Sequence, residues 1–142
     1  MTEERSLSER SIKRLQKAHP RLRRLMLEAI KKSPVQFEVG EVDRTAAKQA
    51  QYVAAGASTT MNSRHIAKVP AHPWYGKEPV SHAVDVVCYV GKAVRWDWPL
   101  YRQVGAHIKA VANKLGIEIV WGGDWKSFPD GPHFELHRKT YP

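Results

Sequence analysis

One cysteine, Cys88, stands in the whole chain, which excludes an intramolecular disulfide and fits synthesis in a reducing compartment. It sits in the apolar run Val86-Val87-Cys88-Tyr89-Val90, the setting of a small buried hydrophobe rather than a nucleophile. No window approaches the roughly 20 consecutive apolar residues that a membrane span requires. The start, Met1-Thr2-Glu3-Glu4-Arg5, is charged and no apolar segment follows it, so no signal peptide is expected. The chain is then expected to stay in the cytoplasm where it is made until something else releases it. There is no internal repeat and no low-complexity tract. Acidic residues are scarce: 14 Asp and Glu against 23 Lys and Arg give a formal net charge of +9. Such a surface is drawn to polyanions, whether nucleic acid, acidic lipid or anionic cell-wall polymers, and charge alone does not choose among them. With 142 residues, 42% of them hydrophobic, the chain can build one hydrophobic core without disulfide support.

Ile12, Leu15, Leu22, Leu25, Met26, Ala29 and Ile30 recur at three- and four-residue steps, which predicts helix over 7–32 with Lys and Arg on its other face. Ser8 or Ser11 is placed to cap it, and His19-Pro20 divides it into two pieces. Val35 to Val39 alternates as a half-wet strand does. Thr45 caps a short helix from Ala46 to Ala55 that Gly56 stops. Residues 66–81 carry Pro70, Pro73 and Pro79 with Trp74 and Tyr75, and read as an exposed loop. Ala83 to Val90 is a buried strand, with Asp85 inside it. Asp97 caps, and Pro99 opens, a helix running to Leu115 with Leu100, Val104, Ile108, Val111 and Leu115 on one face; Gly116 ends it. Ile117 to Trp121 and His133 to Leu136 are further strands. Strands and helices mix without βαβ alternation, so the expected class is α+β: a single domain with a small antiparallel sheet flanked by helices.

The chemistry lies in three short stretches. Ser63-Arg64-His65 and His82-Ala83-Val84-Asp85 supply two histidines and an acid; Asp130-Gly131-Pro132-His133 sets an acid three residues before a histidine, in a segment crowded with turn formers and aromatics. Two histidines, one aspartate and a spare carboxylate are what a catalytic zinc site needs: three ligands, one open position for water, and a group to move the proton. Asp85 in an apolar strand needs a partner, either a metal ion or an arginine. In an extended backbone His133 and Glu135 share a face, which makes Glu135 a rival to Asp130 for the acid role. His72 and His82 are rival ligands; His19, His107 and His137 are not singled out.

These stretches, together with Trp121-Gly122-Gly123-Asp124-Trp125-Lys126 and His133-Phe134-Glu135-Leu136, resemble the phage-type L-alanyl-D-glutamate endopeptidases. These belong to a wider group of zinc peptidases that includes D-alanyl-D-alanine carboxypeptidases and dipeptidases. The similarity runs from Leu7 to Leu136 and includes Asp43-Arg44-Thr45 and the helix start at Trp96 to Leu100. It implies a zinc site on the sheet, with His65, Asp85 and His133 as ligands, Asp130 as general base, Arg44 as the substrate-contacting arginine, and Ser63 beside the first ligand. Two departures stand out. Residues 66–81 insert a long loop between His65 and Asp85, where Trp74 and Tyr75 are placed to form a lid or wall of the cleft. Glu41-Val42-Asp43 precedes Arg44 where a glycine and an apolar residue are expected. Trp121, Trp125 and Phe128 are expected to pack as support around the site.

The resemblance implies hydrolysis of the stem peptide of peptidoglycan, most simply at L-Ala–D-Glu, by a monomer drawn to the anionic cell envelope. Host lysis of the phage endolysin kind would need a holin to let the enzyme out of the host cytoplasm to the wall. Other readings are a D-Ala–D-Ala carboxypeptidase, a relative inactivated by the insertion, and a basic nucleic-acid-binding module. No nucleic-acid-binding motif is present, so no nucleic acid is expected as partner.

Overall fold

The computed structural model describes residues 4–142; Met1, Thr2 and Glu3, the first part of the charged start, lie outside the described residues. The basic amphipathic stretch is two helices, α1 (Glu9–Leu15) and α2 (Pro20–Ala29), with a 3₁₀ turn over Ile30–Lys32. Ser8 caps α1, its Oγ accepting from the Ser11 amide at 3.2 Å. Pro20 takes the first position of α2, where its missing N–H costs nothing, and His19 caps that helix by accepting from the Arg21 amide at 3.0 Å through Nδ1. Leu15, Leu22, Leu25 and Met26 are fully buried. Ile12, counted with that stripe in the sequence, is instead exposed: α1 is only seven residues long and turns Ser11 and Leu15 inward.

Five strands make one antiparallel sheet: β1 (Gln36–Val39), β2 (Ala83–Val90), β3 (Ala93–Arg95), β4 (Ile119–Trp121) and β5 (His133–Leu136). The order is β1-β2-β5-β4, with β3 folded back on the end of β2. Helix α3 (Ala46–Ala54) follows β1, capped by Thr45 and ended at Gly56. Helix α4 (Trp98–Leu115) packs against α2 and β4 through Tyr101, Val104, Ile108 and Ala112, and Gly116 in the left-handed conformation ends it. Leu100, Val111 and Leu115 only flank that buried stripe. Asp97 stands at the N-cap position but does not cap; its carboxylate turns back to Arg95, with Nε donating at 3.3 Å. The strand expected from Ile117 begins at Ile119, because the Ile117 amide still serves the Ala112 carbonyl of α4.

Register decides what each face of the sheet does. Phe37 lies opposite Cys88, Val39 opposite Val86, and Val84 opposite Phe134. All are buried and all join the helical core. Alternation sends their neighbours to the other face, where Asp85 lies opposite His133 and Ala83 opposite Glu135. One strand thus anchors the core and carries the polar group. Each large apolar side chain buried on the core face contributes roughly 1.5–3 kcal/mol.

The 66–81 segment is closed at its base. Lys68 and Val80 exchange backbone hydrogen bonds, both 3.0 Å, and a 3₁₀ turn over Pro73–Tyr75 forms the tip. Trp74 is 71% exposed, as an open loop predicts. Tyr75 is not free: its ring lies 4.5 Å from the His19 ring, and its hydroxyl accepts from Arg21 Nε at 3.1 Å.

Beneath this loop His19 and His82 are buried, ring centroids 5.1 Å apart. Burial, reinforced by the neighbouring His82, lowers the His19 pKa to about 3; burial, reinforced by Arg64, lowers that of His82 to about 4. The unfolded chain therefore binds more protons below about pH 6.5, and the stability present above that pH is lost as the pH falls toward 4. The thermal midpoint, followed by circular dichroism at constant salt, is expected to drop steadily from pH 6.5 to 4, and His82→Gln to flatten that slope. A wild-type midpoint independent of pH over this range would contradict the assignment.

Candidate metal centre

The cross-strand pair Asp85 and His133 projects from the sheet face away from the core, and His65 reaches them from the loop after α3. That loop is held from both sides: the Arg44 amide donates to the His65 carbonyl at 2.9 Å, and the His82 amide to the Arg64 carbonyl at 2.9 Å. Ser63 Oγ accepts from the His65 amide at 3.2 Å, so Ser63 fixes the backbone of the histidine. His65 Nε2 lies 3.1 Å from Asp85 Oδ1 and 3.2 Å from His133 Nδ1, and His133 Nδ1 lies 3.5 Å from the same oxygen. One ligand atom from each residue falls within 4.8 Å of the others, a group that could hold a metal ion.

The outer partners of the imidazoles set which nitrogens carry protons. His65 Nδ1 is 2.7 Å from the Val42 carbonyl, which only accepts, so Nδ1 bears the proton and Nε2 is left with a lone pair. His133 Nε2 is 2.8 Å from Glu135 Oε1, which likewise draws the proton to Nε2 and frees Nδ1. In these neutral tautomers two nitrogen lone pairs and a carboxylate oxygen point at one spot; without a cation there, a proton on His133 Nδ1 shared with Asp85 takes its place. Such a convergence is repulsive unless a cation or a proton sits within it. The donor set, two imidazoles and a carboxylate, suits zinc. Burial favours a neutral His133, but hydrogen bonds to Asp85 and Glu135 outweigh it and push its pKa up to about 9. Burial of Asp85 raises its carboxyl pKa, but its interactions with His133 and His65 outweigh burial and hold it well below the usual carboxylate range.

Around the group lies a cleft of about 530 Å³. Asp130 faces into it, with its pKa raised by burial and then by the negative charge of Asp85. The Asp-x-x-His spacing forms a turn in which the His133 amide approaches the Asp130 carbonyl at 3.3 Å. Gly122 clamps that turn: its carbonyl accepts from the Asp130 amide at 2.9 Å, and a Cβ on Gly122 would overlap the Asp130 carbonyl. Arg44 lines the cleft beside Asp130, paired to Glu41, bonded to Gln49 Oε1 at 2.5 Å and lying 4.5 Å over the Tyr52 ring. The unexpected acid at position 41 thus braces the arginine.

Several sequence expectations change here. Asp85 takes the two histidines, not an arginine, as its partners. His72 stacks on Trp74 and His82 bonds to the Val80 carbonyl, so neither competes for the centre. Neither Trp74 nor Tyr75 lines the cleft, and the insertion is no wall to it. Glu135 points at His133, its Oε1 2.8 Å from Nε2, on the strand face that the His-x-Glu alternation predicts. Trp121 supports the site from within, its Nε1 donating to the Gly131 carbonyl at 2.7 Å, and Trp125 leans on the His133 ring at 5.0 Å. Phe128 does not pack as support: it is 48% exposed at the rim. Arg138, which the sequence did not single out, joins the lining and bonds to the Asn62 carbonyl at 2.8 Å.

Comparison with known proteins places this geometry. The family model described as phage L-alanyl-D-glutamate peptidase matches residues 4–142. Over 83% of its length the chain is 36% identical to the L-alanyl-D-glutamate peptidase of Listeria phage A118, and it spans only 36% of that relative. The L-alanyl-D-glutamate peptidase of Escherichia phage T5 is 28% identical over 92% of this chain and 88% of that protein. The crystal structure of Serratia marcescens L-Ala D-Glu endopeptidase ChiX superposes with a TM-score of 0.79 at 37% identity, covering 93% of this chain and 90% of that one.

If Glu135 fixes the tautomer of His133, Glu135→Ala is expected to weaken zinc affinity by about 10- to 100-fold in a competitive chelator titration, with the fold intact by circular dichroism. Unchanged affinity would remove Glu135 from the centre. His133→Ala is expected to abolish stoichiometric zinc uptake in the same titration.

Proposed function

The chain belongs to the phage L-alanyl-D-glutamate peptidase family, and on that premise we propose that it hydrolyses the L-Ala–D-Glu amide of the peptidoglycan stem peptide, with zinc held by His65, Asp85 and His133. The observation that carries this reading is the meeting of three lone-pair ligands on one side of a cleft with a free acid, Asp130, beside them. When bound, zinc supplies Lewis acidity toward the scissile carbonyl and brings the pKa of a coordinated water toward about 7.

The remaining work falls to side chains. Asp130, its proton affinity raised by burial and by Asp85, accepts a proton from the attacking water and returns it to the departing amine as the C–N bond breaks. Arg44, held in place by Glu41 and Gln49, presents its guanidinium to the charge growing on the carbonyl oxygen or to a stem carboxylate. Val42 and Glu135 hold the two imidazoles, and Ser63 holds the backbone of His65. The whole chain acts as one peptidase domain, a monomer, with 66–81 as an insertion outside the cleft lining. The excess of positive charge concentrates the protein on the anionic envelope, and a holin would deliver it there from the host cytoplasm for lysis.

Mass spectrometry of murein fragments after treatment with zinc-loaded protein is expected to show new N-terminal D-Glu. Release of D-Ala alone would identify a carboxypeptidase instead, and intact murein would sink the proposal. Asp130→Asn is expected to keep its zinc and lose about 10²- to 10⁴-fold in kcat; near-normal turnover would mean that another group is the base. Binding to purified murein is expected to weaken as salt rises from 50 to 500 mM, and a salt-independent association would remove the electrostatic role.

A further inference from the structure

Exposed aromatic rings gather around the turn that carries Asp130: Phe128 lines the cleft, Trp98 meets Gly131, and Trp96 stacks on Tyr101, which also meets Gly131. Phe128 stands at the rim with φ of +54°, a left-handed backbone that bulky residues seldom adopt. It does so directly before Pro129, which by itself favours an extended conformation at 128. A strained backbone that holds an apolar ring out in solvent, at the mouth of a cleft, marks a contact surface rather than a packing site. Three residues on, the lack of a side chain at Gly131 admits the Trp98 ring: a Cβ built there would lie 3.3 Å from Trp98 Cζ3. Trp98 is 41% exposed and Trp96 62% exposed. The Trp96 ring lies parallel to that of Tyr101, at 6.2 Å and 7°, which sets its plane. Asp97, between the two tryptophans in sequence, pairs its carboxylate with Arg95.

The geometry points to a saccharide track: Phe128, Trp98 and Trp96 stack the sugar rings of the glycan strand that carries the stem peptide. This rests on the cleft being the site for the L-Ala–D-Glu amide. L-Ala is the stem residue joined to the glycan, so the scissile bond lies one residue, about 3.5 Å of extended chain, from the group that links it to the sugar. A productive complex must therefore lay polysaccharide along the cleft edge. Pyranose rings offer flat C–H faces to aromatic rings and hydroxyls to polar side chains. A lipid surface is the other occupant that exposed tryptophans suit, but rings gathered at the turn that carries Asp130, with the Arg95–Asp97 ion pair next to them in the chain, fit a chain of sugars better than a bilayer.

The test titrates peptide-free glycan strands into the full chain and compares two substrates, a disaccharide-bearing muropeptide and the same peptide without sugar. Wild type is expected to bind the glycan and to favour the sugar-bearing substrate in kcat/KM. Trp96→Ala is expected to weaken glycan binding roughly 2- to 10-fold, the range of one lost ring contact, and to move the substrate ratio toward one through KM. Phe128→Ala should lower the ratio as well, and Phe128→Tyr restore it. No glycan binding by wild type, equal losses on both substrates, or tryptophan-dependent binding to phosphatidylglycerol vesicles in place of glycan would overturn the track. Failure of wild type to cut either substrate would instead overturn the reaction assigned above, leaving the glycan titration to judge the track alone.

Discussion

Three electron-pair donors aimed at one point are unstable company, and most of the polar architecture here exists to keep them there. Val42 and Glu135 each hold the outer nitrogen of an imidazole and so turn the inner one toward Asp85. Ser63 fixes the backbone of His65, and Gly122 pins the turn that carries Asp130 and His133. Each of these contacts acts on geometry before it acts on chemistry. Their sum is a cluster whose mutual repulsion a cation would relieve, so an ion bound there would share its free energy with the folding of this face.

The apolar half of the molecule supplies the rigidity. β2 alternates Val84, Val86 and Cys88 into the core with Asp85 on the far side, so Asp85 cannot shift along the strand without dragging buried residues out of register. The same holds for His133 between its neighbours in β5, where Phe134 and Leu136 are wholly buried. The cost of slipping either strand by one residue is the exposure of a whole core face. That constraint sets the distance between two of the three candidate ligands more firmly than any hydrogen bond at the site.

Local chemistry was legible in the sequence and long-range pairing was not. Ser8, Thr45 and Gly116 cap or end their helices as their residue types demand, and His19-Pro20 divides the first helix. His65, Asp85, Asp130 and His133 could be picked out because their spacing and neighbours form recognisable stretches, and the fold brings the four around one cleft. Asp97 looked like a cap, yet Arg95 outcompetes the helix amides for its carboxylate, a choice that depends on the turn after β3. Glu41 looked like a defect before Arg44 and is its brace. Phe128 looked like packing and stands in solvent, in a turn whose Asp130 amide is tied back to the Gly122 carbonyl. Tyr75 looked free and is docked on His19, a partner more than fifty positions earlier.

The reciprocal Lys68–Val80 rung has a consequence for how this chain can vary. Because the segment beyond it is tied off, its contour length is decoupled from the span between His65 and Asp85. Extra or missing residues beyond the rung would be registered at Tyr75 and its seat on α2, while the ligand spacing stays as it is. The rung works as a valve on insertion: sequence can accumulate above it without the geometry of the candidate ligands below having to be retuned.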